Sequence, residues 1–589
     1  MANRLRKHLF SKLDLWKIKL HASLFFISNI ATLSLTPIVA TLGCALLIGG
    51  LLLVTTIKDN NPDLQNALEN KAFAFDTNVG NESVPLYNST HIDTPYIKEY
   101  SMPNGTWPNG ILVDKSGIVW TVGTKSHTLI SFDPKQGRVI ASYPIPQDSQ
   151  KNATKNNNVQ SSVSMVWAVV QDKAGSIWFS QADSPNPLWR FDPATKKFES
   201  NHLVSAAPYQ MRVDQNTGNI WYTTFTDNKL GVIQKIGKNQ NMADNSNSSI
   251  SSQYKVTEFN LGNESFPSGL YLKGDSVWVT QSLNNKLVQF KAITDPNNRV
   301  VNVVKILEIP SSTSSSSNDL SLFDSPYDIV HLGNNLWVTE HDANFITAYN
   351  VGSKSVTKFA DSSNPHQYVT LPFWLREGVG GGLWFNEHYG NRMALFNTTD
   401  LTLTEYEIPT RDPNLGYISN ALNFAVDPVN NRNVWFSEYN HDKIGLLNTG
   451  VSLPFNILSS VNKVVLSRMT AHQGEQQKNA TTTVVNFEIS KNSDNNKGSS
   501  AVPPLSSNNN SHEIVFFKTS SSMTHFGVLN SSANFSSNFI DLAKLENNTA
   551  KVQLFIQNDY NVPPGNYTLG ISATDGRVTK TIYPELIVK

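Results

Sequence analysis

Only one cysteine, Cys44, occurs in 589 residues, and it lies inside an apolar stretch. Disulfide staples and thiolate metal clusters are therefore excluded, so the fold must be held by packing and hydrogen bonding. Net charge is missing as well: 47 basic residues balance 47 acidic ones, and charged residues make up only 16% of the chain. No field of one sign exists to draw in a polynucleotide, which excludes nucleic acid as a partner class. Apolar runs of membrane-spanning length are absent after residue 57.

Before that point one such run is present. Thr36 to Ile57 is uncharged and long enough, as a helix, to cross the roughly 30 Å hydrocarbon layer. Arg4, Arg6, Lys7, Lys12, Lys17 and Lys19 precede it, and this basic flank places the N-terminus in the cytoplasm and the rest of the chain outside. The run is deeper in the chain and longer than a signal-peptide core, and no small-residue cleavage site follows Ile57, so it reads as a single-pass anchor in the cell membrane. The milder apolar stretch Leu20 to Leu35 either lengthens the span, lies at the interface or makes a second crossing. Thirteen N-x-[ST] sequons, Asn81 to Asn566, all fall on the outward side.

Beyond the anchor the chain repeats. Seven segments carry an alternating apolar strand, a Gly/Asn/Asp turn and a second strand with a tryptophan, as in GILVDKSGIVWTVG from Gly110 and RVDQNTGNIWYTT from Arg212. The tryptophans are Trp120, Trp178, Trp221, Trp278, Trp337, Trp384 and Trp435, spaced as four-stranded propeller blades are. Their residue type and period make them core residues packed between blades. Third strands such as KIGLLN from Lys443 follow, and fourth strands such as LTEYEIP from Leu403. The seventh copy lacks a fourth strand, whereas YIKEYSMP, from Tyr96, precedes the first copy and has the missing pattern. That strand is expected to complete the last blade and remove the open edge. After residue 450 the tryptophans stop, and short alternating runs such as VVNFEIS and NYTLGISATDG suggest a sandwich. The chain is therefore expected to be all-β: a seven-bladed β-propeller plus a C-terminal β-sandwich, preceded by an N-terminal transmembrane helix. The expected divisions are a cytoplasmic segment at 1–35, the transmembrane helix at 36–57, a linker at 58–95, the propeller at 96–449 and the sandwich at 450–589.

The tryptophan segments, followed by DNKLGVI from Asp227, NNKLVQF from Asn284 and HDKIGLL from His441, resemble the streptogramin lyase (virginiamycin B lyase) propellers over roughly 96–449. VPPGNYTLGISATDG from Val562 resembles the closing hairpin of immunoglobulin-like domains on prokaryotic surface proteins. The first resemblance implies a Mg²⁺ ion and a general-base histidine that open a cyclic depsipeptide ester by elimination. The implied histidines belong to Pro-His pairs at the start of the innermost strands, where this chain has Pro208-Tyr209, Pro326-Tyr327 and Pro372-Phe373 among others. Glu387 matches the acid of the WFTE-type segment, while Leu371 and Phe373 stand where a further acid and the base belong.

Residues three past each tryptophan should share one face with the start of the first strands. They include Glu340, Glu387 and Glu438 in consecutive copies, which suit a Mg²⁺ or Ca²⁺ ion, and beside two of them His341 and His388 are candidate bases. Trp167, Tyr209, Tyr327, Trp374, Arg376 and Glu377 are the candidate ligand-binding residues of the same mouth, which suits a small organic, glycan or protein ligand. The leading reading is a membrane-anchored, outward-facing binding or interaction module; the alternatives are a divalent-metal lyase or related lactone hydrolase, and a purely structural envelope component. On the topology read from the basic flank, protease added outside intact cells removes everything after Ile57 and spares the first twenty residues. A protected propeller would reverse that orientation.

Overall fold

The computed structural model of the chain describes residues 90–589 apart from 147–163, 183, 185–186, 202–203, 237–252, 298, 311–321, 363–368, 467–481, 493–513, 524–530 and 559–562. The expected segments 1–35 and 36–57 and most of the linker lie outside the described residues. Among those described, no helix is long and apolar enough to cross a membrane.

The Asp-x-x-Gly sequences between first and second strands form turns for a local reason. In the first copy Asp114 Oδ1 accepts the N–H groups of Ser116 and Ile118, and Gly117 takes a φ of 82°. The other carboxylate oxygen accepts the indole N–H of Trp120 at 2.8 Å, and Asp172 repeats this bond with Trp178 at 2.9 Å. One acid thus closes the turn and satisfies the only polar atom of a tryptophan that is then free to be buried. Trp120 packs on Phe191 of the next sheet, Trp178 on Tyr254 and Trp337 on Phe396, so the indoles do fill the spaces between sheets.

The strands assemble as a series of four-stranded antiparallel sheets. The first holds Pro108–Val113, Val119–Gly123, Thr128–Asp133 and Arg138–Pro144, and the sixth Pro372–Glu377, Gly382–Glu387, Arg392–Asn397 and Thr402–Glu407. Between them lie four more of the same order, and a seventh contains Phe424–Val426, Asn433–Glu438 and Lys443–Asn448. Its fourth strand is Ile97–Ser101, antiparallel to Lys443–Asn448 with Ile97 opposite Leu447 and Ser101 opposite Lys443. First strands of neighbouring sheets face one another, and Phe424–Val426 returns to Pro108–Val113. The architecture is propeller-like and all-β.

The N-K-x-G segments explain how the sheets join. Asn228, Asn285, Asn344, Asn391 and Asp442 sit between second and third strands with φ of 56°, 54°, 59°, 58° and 48°, the left-handed region that Asn and Asp tolerate best among residues with a Cβ. Each side-chain oxygen accepts a backbone N–H at the entry to the following sheet: Phe266 at 2.9 Å, Ser325 at 2.8 Å, Thr370 at 3.0 Å and Ser419 at 2.7 Å. Asp442 accepts from Gly105 at 2.7 Å and Trp107 at 2.8 Å, which ties the seventh sheet to the first. The glycines of the motif have a different cause: a Cβ at Gly231 would enter the Tyr222 ring, and at Gly445 the Phe436 ring.

Contacts cross two of the expected divisions. Residues 90–95, assigned to the linker, pack against the sixth sheet's exit: the Arg411 N–H bonds Thr90 O, the Ile92 N–H bonds Pro409 O, and Ile92 is buried. The C-terminal region, expected as a separate sandwich, forms two sheets, but one of them is continuous with the propeller. Val578–Ile582 pairs antiparallel with Thr402–Glu407, the outer strand of the sixth sheet, with Thr402 opposite Ile582 and Tyr406 opposite Val578. Strands Gly565–Thr574, Ile514–Ser521 and Phe539–Asp541 extend that sheet, while Phe455–Ser459, Thr482–Lys491, Thr549–Asn558 and Ser531–Phe535 form the other. Tyr583 is buried against Phe359 and Phe396, and its hydroxyl donates to Ala360 O. The outer strand of a blade is an open edge that must be paired or protected, and here the chain pairs it with itself.

Asn391 also donates to Ile408 O and Thr410 O. Asn391→Ala should lower unfolding stability by about 3 kcal/mol, from lost buried hydrogen bonds plus a Cβ-bearing residue at positive φ, and Asn391→Gly by about 1 kcal/mol less. Urea unfolding followed by tryptophan fluorescence checks this; equal losses would remove the backbone part of the argument.

Candidate functional site

Second strands end, and first strands begin, at one end of the central space, because the two are antiparallel neighbours: Pro326 lies opposite Glu340 and Pro372 opposite Glu387. At this end the aromatic residues come together. Trp167 lies 5.1 Å from Tyr209 between ring centroids, Tyr209 lies 5.4 Å from Trp374 and 6.1 Å from Tyr327, and Tyr327 stacks on Phe373 at 4.5 Å. Tyr209, Tyr327, Phe373 and Trp374 are buried, and Trp167 is half-buried. The cluster fills the axis instead of lining an open funnel. Two hydrogen bonds cross beside it, from Asn423 Nδ2 to Trp167 O at 3.0 Å and from Arg212 Nη2 to Leu375 O at 3.4 Å.

His341 and His388 stand on this aromatic floor. The His341 ring stacks on Tyr327 at 4.8 Å, and His388 meets Phe373 edge to face at 5.0 Å. Their Nε2 atoms are 3.2 Å apart, and His341 Nδ1 lies 2.7 Å from Asp342 Oδ1. The His341 side chain is 13% exposed and Asp342 20%, which makes them the solvent side of the group. Burial first, then the neighbouring His341, pushes the His388 imidazole down to about 3, so it is held neutral. Asn420 contacts His388. Sequence reasoning missed Asp342 and Asn420; the adjacent His-Asp pair at 341–342 was a readable signal for the first.

The three glutamates are buried at these strand ends. Glu340, Glu387 and Glu438 were placed on the mouth as one acidic group; each is fully buried within its own sheet. Among the described residues no group of three or more His, Cys, Asp or Glu is arranged to hold a metal ion. The reason is a repeated ion pair. The cation that opens the third strand reaches a glutamate on the fourth: Lys229 to Glu258 at 3.1 Å, Lys286 to Glu308 at 2.5 Å, Arg392 to Glu405 at 3.0 Å and Lys443 to Glu99 at 2.7 Å. In the fifth sheet the charges are exchanged, with Phe345 opening the third strand and Lys358 in the fourth-strand position, where it pairs with Glu340 at 2.8 Å. Glu340 also accepts from Thr347 and from the Asp324 N–H. Glu387 and Glu438 are the surplus acids of the sixth and seventh sheets. Burial, then Glu405 and Asp361, pushes the Glu387 carboxyl well above the usual range against the opposing Arg392; burial, then Glu99, does the same to Glu438.

Arg376 and Glu377 belong to the far end of the first strand. Arg376 binds the buried Asp328 at 2.7 Å and lies over the Trp374 and Phe424 rings, while Glu377 accepts the Tyr271 hydroxyl at 2.6 Å. The structure thus brings together Trp167, Tyr209, Tyr327, Trp374, His341 and His388, while the carboxyl groups of Glu340, Glu387 and Glu438 are buried at the same strand ends and Glu377 lies at the far end of its strand.

No protein-family model and no curated protein matches the chain. Among solved structures, virginiamycin B lyase from Staphylococcus aureus is 22% identical with a TM-score of 0.42, over 60% of this chain and 98% of that one. A streptogramin B lyase is 20% identical at the same TM-score, over 60% and 97%. Kuenenia stuttgartiensis hydrazine synthase is 12% identical with a TM-score of 0.39, over 62% and 99%.

The buried groups fix the pH dependence of stability. His388 is depressed in the folded chain, so its contribution is full above the unfolded value of about 6.5 and is lost as pH falls toward its folded value. Glu438 is raised, so its contribution is full below the unfolded value of about 4.3 and is lost as pH rises through the folded one. Glu438→Gln should therefore gain stability relative to wild type as pH rises from about 5 to about 8, and His388→Gln relative to wild type as pH falls below about 6. Denaturant midpoints across that range check both signs.

Proposed function

We propose that the successive sheets form a closed seven-bladed ring, carried outside the cell by the Thr36 to Ile57 span, and that the ring is a binding module. Its ligand is an uncharged organic or glycan molecule taken at the aromatic mouth. The observation that carries this reading is the run of ring contacts from Trp167 through Tyr209, Tyr327 and Phe373, ending on the partly exposed His341–Asp342 pair. An aromatic surface with a few polar atoms at one side is the usual makeup of a site for small ring-bearing ligands. Supporting it, the carboxylate of Glu340 is consumed by Lys358, Thr347 and the Asp324 N–H, and Glu387 lies beside Arg392. The C-terminal region, whose strand Val578–Ile582 continues the sixth sheet, acts in this reading as a rigid spacer of immunoglobulin-like type.

A lyase or lactone hydrolase is the second reading, and one observation favours it. Asp342, His341 and His388 form a chain of groups in which a carboxylate orients an imidazole, the arrangement of a general base. That base would enter from the second strand, over Phe373 and Tyr327. Calorimetry and chromatography of cyclic depsipeptides, simple lactones and neutral oligosaccharides separate the two readings. Saturable binding without conversion, weakened about tenfold in Trp167→Ala, is expected, since about 1.4 kcal/mol is a modest loss for one stacking ring. Conversion of a depsipeptide or lactone that disappears in His341→Ala would replace the module by the enzyme.

A further inference from the structure

The imidazoles of His341 and His388 face each other through Nε2 at 3.2 Å, with ring planes 18° apart and centroids 5.4 Å apart. Two nitrogens bound to one tetrahedral ion, each about 2.0–2.1 Å from it, stand about 3.3 Å from one another. The surroundings fit the same arrangement. Asp342 at Nδ1 fixes the N–H of His341 on that side and leaves the Nε2 lone pair toward His388. His388 is buried, and its Nδ1 has no well-formed hydrogen bond. Next to it Asn420, itself 1% exposed, has neither amide atom satisfied. With the Nδ1–H of His388 directed at Asn420, both Nε2 lone pairs face one point, where either a shared proton or a metal ion bridges them.

From this geometry we infer that His341 and His388 form a two-histidine site for a borderline transition-metal ion such as Zn²⁺. Nitrogen ligands select Zn²⁺ and its neighbours over Mg²⁺ and Ca²⁺, which take oxygen. Asp342 acts as the positioning residue, because a carboxylate on the far nitrogen of a ligating histidine orients the ring and raises its basicity. Tyr327 and Phe373 shield the pair from beneath. The protein supplies two ligands and water the others, on the exposed side of His341. An ion with open positions next to an aromatic floor gives the mouth a contact for a carbonyl or hydroxyl oxygen. That last point rests on the mouth being the binding site; the ion itself does not.

The test uses full-length protein in detergent, without a histidine tag, and Co²⁺ as the spectroscopic probe. One equivalent of Co²⁺ should produce the visible absorption of a low-coordinate ion, displaced by Zn²⁺, and Zn²⁺ should raise the Tm. Affinity should fall at least 100-fold in His341→Gln and in His388→Gln and 10–100-fold in Asp342→Asn. Absence of uptake by the wild type at millimolar Co²⁺, or uptake unchanged in His388→Gln, overturns the proposal. Should a variant fail to fold, the wild type decides: a Tm unmoved by millimolar Zn²⁺ overturns it equally. Depsipeptide and oligosaccharide binding is measured separately, in chelator, so loss of the module reading with Co²⁺ uptake intact leaves the metal site standing, and the reverse leaves the module.

Discussion

The side chain between second and third strands performs two tasks that normally compete. A left-handed turn residue is usually glycine, which has no side chain to offer; here asparagine or aspartate accepts the strained φ and uses its oxygen to bind the backbone entering the next sheet. Five of the sheets, the third to the seventh, are thereby fixed to their successors at the end where first strands begin. Asp442 does the same across the seam, with Glu99 and Lys443 paired behind it. Because Glu99 comes from the N-terminal strand, the ladder, the ion pair and the turn bond all act on the same closure.

Burial then decides what the charges at this end do. A carboxylate in a dry interior either finds a cation or keeps its proton. Glu258, Glu308 and Glu99 find theirs in the lysine of the repeated motif; Glu387 and Glu438 share a cation already claimed and are pushed toward the neutral acid. The acids conspicuous in the sequence are thus parts of the inter-strand framework, and the groups left near solvent are His341 and Asp342. The aromatic residues between them fill this end of the central space.

Continuity between the sixth sheet and the C-terminal region changes the mechanical character of the molecule. A sandwich joined by a linker is free to rotate, whereas a shared ladder from Thr402–Ile582 to Tyr406–Val578, with Tyr583 buried between the fifth and sixth sheets, fixes the two parts together. The sixth sheet also carries Phe373, Trp374 and His388, so the side of the mouth that holds the histidine pair is braced from outside.

Period and residue type alone determined the series of tryptophan-bearing hairpins, the exchange of the N-terminal strand into the last sheet and the interior place of the indoles. These are short-range consequences: a turn needs Asp and Gly, an alternating strand has one buried face, and an orphan edge needs a partner. The same logic did not show that Glu340, Glu387 and Glu438 would be buried, since a shared position in the repeat fixes the end of a strand and not the direction of a side chain or the partner it meets. It also could not show that Val578–Ile582 would pair with Thr402–Glu407, because both strands read alike whichever edge they join. Which cation each acid meets, which rings come together and how the Nε2 atoms of two imidazoles from adjacent sheets come within 3.2 Å are set by how the sheets pack against one another. Those contacts join residues far apart in the chain, and only the tertiary structure decided them.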